Sequence, residues 1–539
     1  MYKVDFLENL KQNLVDTTVD ELADFIVYLA KLLPNNLYSD VLAWFEQENT
    51  ATSRANIDTK NLFDEIERLF NEIEDGRYEF EWDFDNDYGY YSDYYEDYEG
   101  DELIDKNGLG RHLTVLIPKI MNVANNEQYD EACQLFSQLF SISVYNDYGE
   151  DITIEQLFEY DLIQLDYRAV LLTYAHAILM CKQGVQRVNL LFGIVFGEQD
   201  FKLEPVLKFG STPIPDETQF FRDWLEYLRN REVDKYRIKN RNSLLIDALT
   251  TSGGINALRN FVAEYGIKYA EVVFKLIELD IIAENFDQAV TTIKKAFTEI
   301  DGIDPNKTQL ADYLIRIARI TNDQANLRLG TIEGFKASLR LEYYGEIHTW
   351  QDADLIKEML DYLDIHAKKD DFHYYCINFL NGNHELVWNE CVMDTSALGW
   401  SNSLKGFMFP LFLATITKDS CGVLTTDMVN QLGNRLGYVQ FAELLSDSKP
   451  ILTDDRYQEY SKWCENQIGL RVDAIVTNQH RGAYDRAAEL IVAMGEILMT
   501  NYNEPTGMNY ILKFKQAYPR HNAFQRSLRE NLALIGRAF

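Results

Sequence analysis

Apolar residues recur at spacings of three and four along nearly the whole chain, which is the pattern of one helix face. The segment "VDELADFIVYLAKLLP" is typical, because it places Leu22, Phe25, Ile26, Leu29 and Leu33 on such a face. Only 10 prolines and 28 glycines interrupt the 539 residues, which is few for a chain of many short strands and turns. The sequence therefore predicts an all-α protein whose long helices are joined by short turns.

A short sequence frame, aromatic–Asp–x–Ala with an apolar residue four positions after the alanine, occurs three times. The copies begin at Tyr129, Phe286 and Tyr484, in "YDEACQLF", "FDQAVTTI" and "YDRAAELI". A small alanine lets a neighbouring helix approach closely, and the aromatic residue fills the space between hairpins, as in tetratricopeptide-like repeats. Because the copies follow no regular period, we predict irregular helical hairpins, arranged as an α-solenoid or as stacked bundles.

Acidic residues are densest in "DFDNDYGYYSDYYEDYEGDE" at 83–102, which holds nine acids, six tyrosines and no basic residue. The whole chain carries a net charge of −35, so its acidity is not confined to this segment. Three interpretations stay open: a loop without a dedicated partner, a docking strip for a basic protein, or a mimic of nucleic-acid phosphates that blocks a basic groove.

The same segment partly matches the ligand pattern of a helix–loop–helix calcium site. Asp83, Asp85 and Asp87 match the first three carboxylate positions of such a loop. Tyr88 then stands where the loop needs glycine, and Tyr94 stands where it needs a bidentate glutamate. The sequence therefore does not predict a tuned calcium site.

Composition and turn signals divide the chain into sections. "FGSTPIPDE" at 209–217 is a proline-paired turn, and "LLIDALTTSGGINALRNFVAEYG" indicates a helix, a Gly-Gly break and a second helix. We predict an N-terminal helical section (1–77), an acidic Tyr-rich loop (78–110), a helical bundle (111–208), a joint with a basic helix (209–241) and a C-terminal tetratricopeptide-like section (242–539).

Basic residues cluster in two places. The run at 229–241, which contains Arg237 and Arg241, indicates a solvated helix face or a docking surface for acidic partners. The C-terminal segments "NQHRGAYDR" and "YPRHNAFQRSLR" contain His480, Arg481 and Arg520. Those side chains either tie helices together through carboxylates and helix C-termini, or form a pocket for an anion or an acidic peptide.

Other candidate residues favour structural roles. His366, His373 and Cys376 would share one face of a single helix, where aromatic neighbours indicate core packing rather than zinc binding. In "GWSNS", Trp400 is expected to plug a hairpin junction. Ser401 and Ser403 of that turn are available as helix caps.

Several functional classes lack their sequence marks. The six cysteines form no CxxC or CxC pair, and no P-loop, HExxH, GxSxG or GxGxxG motif occurs. The N-terminus does not have the pattern of a signal peptide, and no apolar stretch has the length of a membrane span. The negative charge disfavours binding to nucleic acid and to anionic membranes. We therefore predict a cytoplasmic protein with no cofactor and no catalytic or metal-binding residue.

From about Asn242 onward the chain resembles the helical region of bacterial SWIM zinc-finger family proteins. The resemblance lies in "NSLLIDALTTSGGINALRNFVAEYG", "TIEGFKASLRLEYYGEI", "GWSNSLKGFMFPLFLATI" and the segment that begins "RVDAIVTNQHRGAYDRAAEL". It covers about two thirds of the chain and implies tetratricopeptide-like helices. The CxC…CxH zinc module that names the family has no counterpart here. The family's inferred nucleic-acid binding is therefore not carried over.

These observations predict a noncatalytic scaffold, adaptor or regulatory subunit that binds a protein partner. A basic protein is one such partner. An acidic inhibitor that sequesters a basic-groove protein is one alternative, and an enzyme whose catalytic groups converge from distant positions is another. The candidate partner-binding residues are Tyr88, Tyr94, Tyr95, Asp97, Arg237, Arg241, Trp400, His480, Arg481 and Arg520.

Overall fold

A computed structural model of the chain describes residues 57–84, 101–145, 149–196, 202–209, 212–234, 237–368, 371–395, 398, 403–439, 441–448 and 452–539. Over these residues the protein is all-α, built from helical hairpins, as the periodicity predicts. The first example, around Leu22, lies outside the described residues. None of the described helices is both long enough and apolar enough to cross a membrane.

The chain divides into two compact units, the first ending at Gly254 and the second running from Ile255 to Phe539. One long helix, α9 (Ile238–Tyr265), contains the boundary, and its backbone leaves the helical conformation at Gly254, where φ is 59° and ψ is −148°. This region of φ and ψ is open almost only to glycine. The predicted helix break at the Gly-Gly pair is thus confirmed.

The first unit combines helices with two small antiparallel hairpins. Its elements are α1 (Lys60–Glu74), β1 (Phe80–Phe84), β2 (Asp101–Asp105), α2 (Leu109–Asn125), α3 (Tyr129–Leu139), β3 (Ser143–Tyr145), β4 (Asp151–Thr153), α4 (Ile154–Glu159), α5 (Tyr167–Cys181), α6 (Gly184–Val195), α7 (Leu203–Leu207), α8 (Glu217–Asn230) and the first part of α9. Helix α2 contains Pro118 and continues through it to Asn125.

Both ends of the segment predicted as an acidic loop form strands. Strand β1 pairs antiparallel with β2, with Phe80 opposite Asp105 and Phe84 opposite Asp101. The carboxylate of Asp105 then accepts hydrogen bonds from the backbone N–H groups of Gly108, Leu109 and Gly110, at 2.8, 3.0 and 2.8 Å. These are donors that a helix N-terminus leaves unpaired, so the end of the hairpin fixes the start of α2.

The second unit is a succession of helices. After the second part of α9 and a short 3₁₀ turn (Gly266–Tyr269) come α10 (Ala270–Ile282), α11 (Phe286–Phe297), α12 (Pro305–Thr321), α13 (Gln324–Ser338), α14 (Leu341–Thr349), α15 (Ala353–His366), α16 (Phe372–Leu380), α17 (His384–Met393), α18 (Leu404–Thr415), α19 (Val423–Arg435), α20 (Phe441–Asp447), α21 (Asp454–Thr477), a 3₁₀ turn (Arg481–Ala483), α22 (Tyr484–Asn501), α23 (Glu504–Ala517) and α24 (Asn522–Leu534).

Tight turns with one left-handed residue join many neighbouring helices. The left-handed residue is Glu127 between α2 and α3, Glu284 between α10 and α11, and Asn322 between α12 and α13. Gly382 has the same role between α16 and α17, with φ of 82°. Each turn reverses the chain within a few residues, so consecutive helices form antiparallel hairpins.

The three aromatic–Asp–x–Ala frames occupy equivalent structural positions. Each aromatic residue is the first residue of a helix: α3, α11 or α22. The frame alanines Ala132, Ala289 and Ala487 are fully buried. The apolar residues four positions later, Phe136, Ile293 and Ile491, are also fully buried. The predicted role of the alanine as a close-packing position is confirmed.

An aromatic cluster forms part of the core of the second unit. The Trp388 ring on α17 lies 4.2 Å from the Tyr460 ring and 5.0 Å from the Trp463 ring, both on α21. Phe412 of α18 meets the same rings edge-on at 5.4 and 5.5 Å. Edge-to-face packing at these distances stabilises aromatic pairs beyond simple burial. Ser403 caps α18 by accepting the backbone N–H of Gly406 at 3.0 Å, as predicted.

Candidate functional site

Five of the predicted partner-binding residues lie outside the described residues. They are Tyr88, Tyr94, Tyr95, Asp97 and Trp400. The interpretations of the acidic segment as a docking strip or a nucleic-acid mimic, and the expectation that it is not a tuned calcium site, depend on such positions. The expected role of Trp400 at a hairpin junction depends on them as well. These interpretations therefore stay predictions.

The basic run at 229–241 does not form one solvated helix face. Helix α8 ends at Asn230 and α9 begins at Ile238, so the run is divided between two helices and a connection. The guanidinium of Arg237 lies 5.9 Å from the centre of the Phe196 ring, close enough for a cation–π contact. Arg241 donates to the backbone carbonyl of Arg231 at 3.4 Å. Arg237 and Arg241, both predicted to bind a partner, thus contact other residues of the first unit. These contacts favour a structural role for the two arginines.

The histidines predicted to share one helical face lie on different helices. His366 is the last residue of α15, and its ring packs 4.2 Å from that of Tyr362. His373 is on α16, where its Nδ1 accepts the backbone N–H of Leu341 at 3.0 Å. Burial lowers the pKa of His373 and raises the pKa of the fully buried Cys376 thiol. His373 and Cys376 have packing roles, whereas His366 is exposed at the end of its helix, so the prediction of core packing is wrong for His366. The described residues contain no group of three or more side chains arranged to hold a metal ion.

Two C-terminal basic segments that are distant in the sequence lie next to each other in the second unit. The 3₁₀ turn at Arg481–Ala483 leads into α22, and Arg520 and His521 precede α24. The Tyr484 hydroxyl lies 3.5 Å from Nδ1 of His521, which holds the two helix starts side by side. We call His480, Arg481 and Arg520 the basic edge.

The side chains of the basic edge point to solvent. His480, Arg481 and Arg520 are all exposed. Among the described residues, neither the Arg481 nor the Arg520 guanidinium has a hydrogen bond or an ion pair. Residues 520–529 contain three arginines and no acidic residue, although the chain as a whole carries a charge of −35. The interpretation of Arg481 and Arg520 as ties between helices therefore finds no partner within the described structure.

Neighbouring side chains make the basic edge rigid. The Tyr518 hydroxyl donates a 3.0 Å hydrogen bond to the carboxylate of Asp473 at the end of α21. The Gln525 amide donates to the carbonyls of Lys515 and Tyr518 at 2.9 and 3.0 Å, which satisfies the C-terminus of α23. The Tyr518 and Phe524 rings meet edge-on at 5.7 Å. The helix ends that carry the cations are therefore held by contacts within their own unit.

A second location, which the sequence did not indicate, is a recess between α9, α10 and α11. Its volume is about 140 Å³. Typical small-molecule pockets start at roughly 300 Å³, so the recess has room for about one amino-acid side chain. Its lining is mostly apolar and includes Arg259, Val262, Val273, Leu276, Lys295 and Glu299.

The charged groups around this recess are already paired. Arg259 makes two hydrogen bonds to the fully buried carboxylate of Asp280, at 2.8 and 3.2 Å. Lys295 donates to the carbonyl of Ala263 near the end of α9. A bidentate pair on a buried carboxylate would be costly to break, because it would leave that charge unpaired. The recess is therefore a less suitable site for a charged ligand than the basic edge.

Comparisons with known proteins give no relative: the chain matches no protein-family model, and no curated protein matches it. The resemblance to SWIM zinc-finger family proteins therefore stays a prediction.

Proposed function

We propose that this protein is a noncatalytic interaction scaffold of the cytoplasm, and that its basic edge binds an acidic segment of a protein partner. The supporting observation is that Arg481 and Arg520 are exposed, held at one edge, and without ion pairs among the described residues. Exposed cations on a rigid surface favour a partner of opposite charge, because the attraction guides its approach and sets its orientation.

The architecture and the charge balance also favour this function. Helical hairpins present extended surfaces, because each hairpin contacts only its neighbours along the chain. The net charge of −35 would repel most acidic proteins at long range. The basic edge therefore favours a partner whose acidic residues lie on a short segment, because such a segment can reach the edge without bringing a large acidic surface close to the rest of the chain. The proposed partner is therefore acidic. The acidic segment at 83–102, by contrast, led us to expect a basic protein as the partner.

The test is to reverse the charges of the basic edge. The tagged full-length chain would be isolated from its native cells with and without the double substitution Arg481→Glu and Arg520→Glu. We expect the wild-type chain to retain a stoichiometric partner and the variant to bind that partner at least about tenfold more weakly, which corresponds to about 1.4 kcal/mol. Added salt is expected to weaken the wild-type complex, because exposed charges are screened.

The matched control carries Arg222→Glu and Arg316→Glu. Both arginines are exposed, and the formal charge changes by the same amount, but neither lies on the basic edge. We expect this control to bind like the wild type. Equal losses in the two variants would assign the effect to net charge and overturn the assignment to the basic edge. A chain that recovers no stoichiometric partner under several conditions would overturn the scaffold proposal.

A further inference from the structure

Two cysteines that are distant in sequence come together in the first unit. Cys133 is on α3 and Cys181 is the last residue of α5. Both are free thiols, and each is the largest single influence on the pKa of the other. Cys133 is buried, with 3% of its surface exposed, whereas Cys181 is half-buried.

Contacts on either side of the thiols show that α3 and α5 are packed together there. The Lys182 ammonium lies 3.0 Å from the carboxylate of Asp130, which is almost one turn before Cys133. The Phe136 ring, almost one turn after Cys133, stacks on Tyr174 of α5 at 5.1 Å. The thiols therefore lie within a packed helix pair and not at a mobile chain end.

The two thiols alter the pKa of each other. The Cys181 thiol lowers the pKa of Cys133, and the charge of Lys182 acts in the same direction. Burial and Asp130 oppose this change. The pKa of Cys181 is raised by the same interaction. One sulfur is thus disposed to become the thiolate, which is the reactive form of cysteine, while the other keeps its proton.

We propose that Cys133 and Cys181 form a reversible redox site that peroxide oxidises to a disulfide joining α3 to α5. This inference is independent of the proposed scaffold function. It differs from a structural disulfide, because both sulfurs are free thiols in the folded chain.

The reaction balances with one molecule of hydrogen peroxide. The thiolate sulfur attacks one peroxide oxygen, so that an S–O bond forms, the O–O bond breaks, and the released hydroxide takes a proton to become water. The second sulfur gives up its proton and attacks the sulfenic sulfur, so that the S–S bond forms and a second water leaves. Two thiols lose two electrons in total, and the peroxide gains them. A dithiol reductant reverses the change by thiol–disulfide exchange.

The test treats the reduced full-length chain with hydrogen peroxide near neutral pH, blocks the remaining thiols, and maps crosslinked peptides by mass spectrometry without reduction. We expect a peptide pair that joins Cys133 to Cys181 and a loss of two of the six titratable thiols. Dithiothreitol is expected to restore both. Cys133→Ala and Cys181→Ala should each abolish the crosslink, and Cys421→Ser, which removes the other half-buried thiol, should leave it unchanged.

A second variant keeps the test decisive if a cysteine substitution prevents folding. Lys182→Gln removes the nearby positive charge and is expected to slow crosslinking by roughly threefold or more. Lys208→Gln is its control, because Lys208 is an exposed lysine that pairs with Glu204. Absence of a Cys133–Cys181 crosslink, or equal crosslinking of the fully buried Cys376 and Cys391, would overturn the proposal.

Discussion

At the scale of single residues, the surroundings of Glu489 raise the pKa of its carboxyl group into a range that a titration can reach. It is half-buried on α22, and burial raises its pKa to about 7. The nearby charges of Asp485 and Asp427 raise the pKa further, and Arg486 opposes them. The folded chain therefore holds a proton on Glu489 more tightly than the unfolded chain does.

This difference predicts a pH-dependent stability. A carboxyl group with a raised folded-state pKa costs no stability below its unfolded pKa, and its cost grows as the pH rises until it is complete above the folded pKa. Glu489→Gln removes the charge and keeps the shape. We expect the free energy of unfolding to rise by about 1–2 kcal/mol at pH 8, after discounting for partial exposure. At pH 5.5 the gain should fall to less than half of that value.

Denaturant titrations of the wild type and the variant at the two pH values provide the measurement. Glu530→Gln is the control, because Glu530 is exposed on α24. That substitution should change the stability little at either pH. A gain from Glu489→Gln that is equal at pH 5.5 and pH 8 would contradict the raised pKa.

At the scale of elements, α22 and α23 cross at two glycines. A Cβ atom at Gly507 would lie 2.2 Å from the backbone oxygen of Gly495 and 2.4 Å from the Met499 side chain. Backbone atoms cannot move aside as the end of a side chain can. Gly507→Ala must therefore push the two helices apart. We expect a loss of about 2 kcal/mol in the free energy of unfolding, because the overpacking exceeds the gain in helix propensity.

Gly469→Ala on α21 is the matched control, since no atom lies within 4 Å of the added Cβ. There the better helix propensity of alanine acts alone, and we expect stabilisation of up to about 1 kcal/mol. Thermal unfolding of the two variants separates the effects. A Gly507→Ala protein as stable as the Gly469→Ala protein would show that the two helices do not need this close approach.

The elements also show what periodicity can and cannot predict. Long amphipathic segments and glycine breaks are local signals, so the helical hairpins and the break at Gly254 were predictable. Strands β3 and β4 have three residues each, which is too short for an alternating pattern to stand out. The position of Arg237 over the Phe196 ring depends on tertiary packing, which the spacing of its neighbours does not encode.

At the scale of the whole molecule, sites that depend on distant residues were the least predictable. The sequence indicated the basic edge, because its arginines lie in two locally basic segments. The pairing of Cys133 with Cys181 depends on how α3 packs against α5. The recess beside Arg259 depends likewise on the packing of three helices. Such sites have no fixed spacing, so motif searches do not detect them.

The division at Gly254 predicts that the two units unfold in separate transitions, because each has its own buried core. Ile120 of α2 and Ile491 of α22 are both fully buried, one in each unit. An isoleucine-to-alanine change in a core costs about 2–5 kcal/mol. In calorimetry we expect Ile120→Ala to lower the midpoint of one transition and Ile491→Ala to lower the midpoint of the other. A single transition that both variants shift equally would contradict this division, because it would show that the two cores unfold as one cooperative unit.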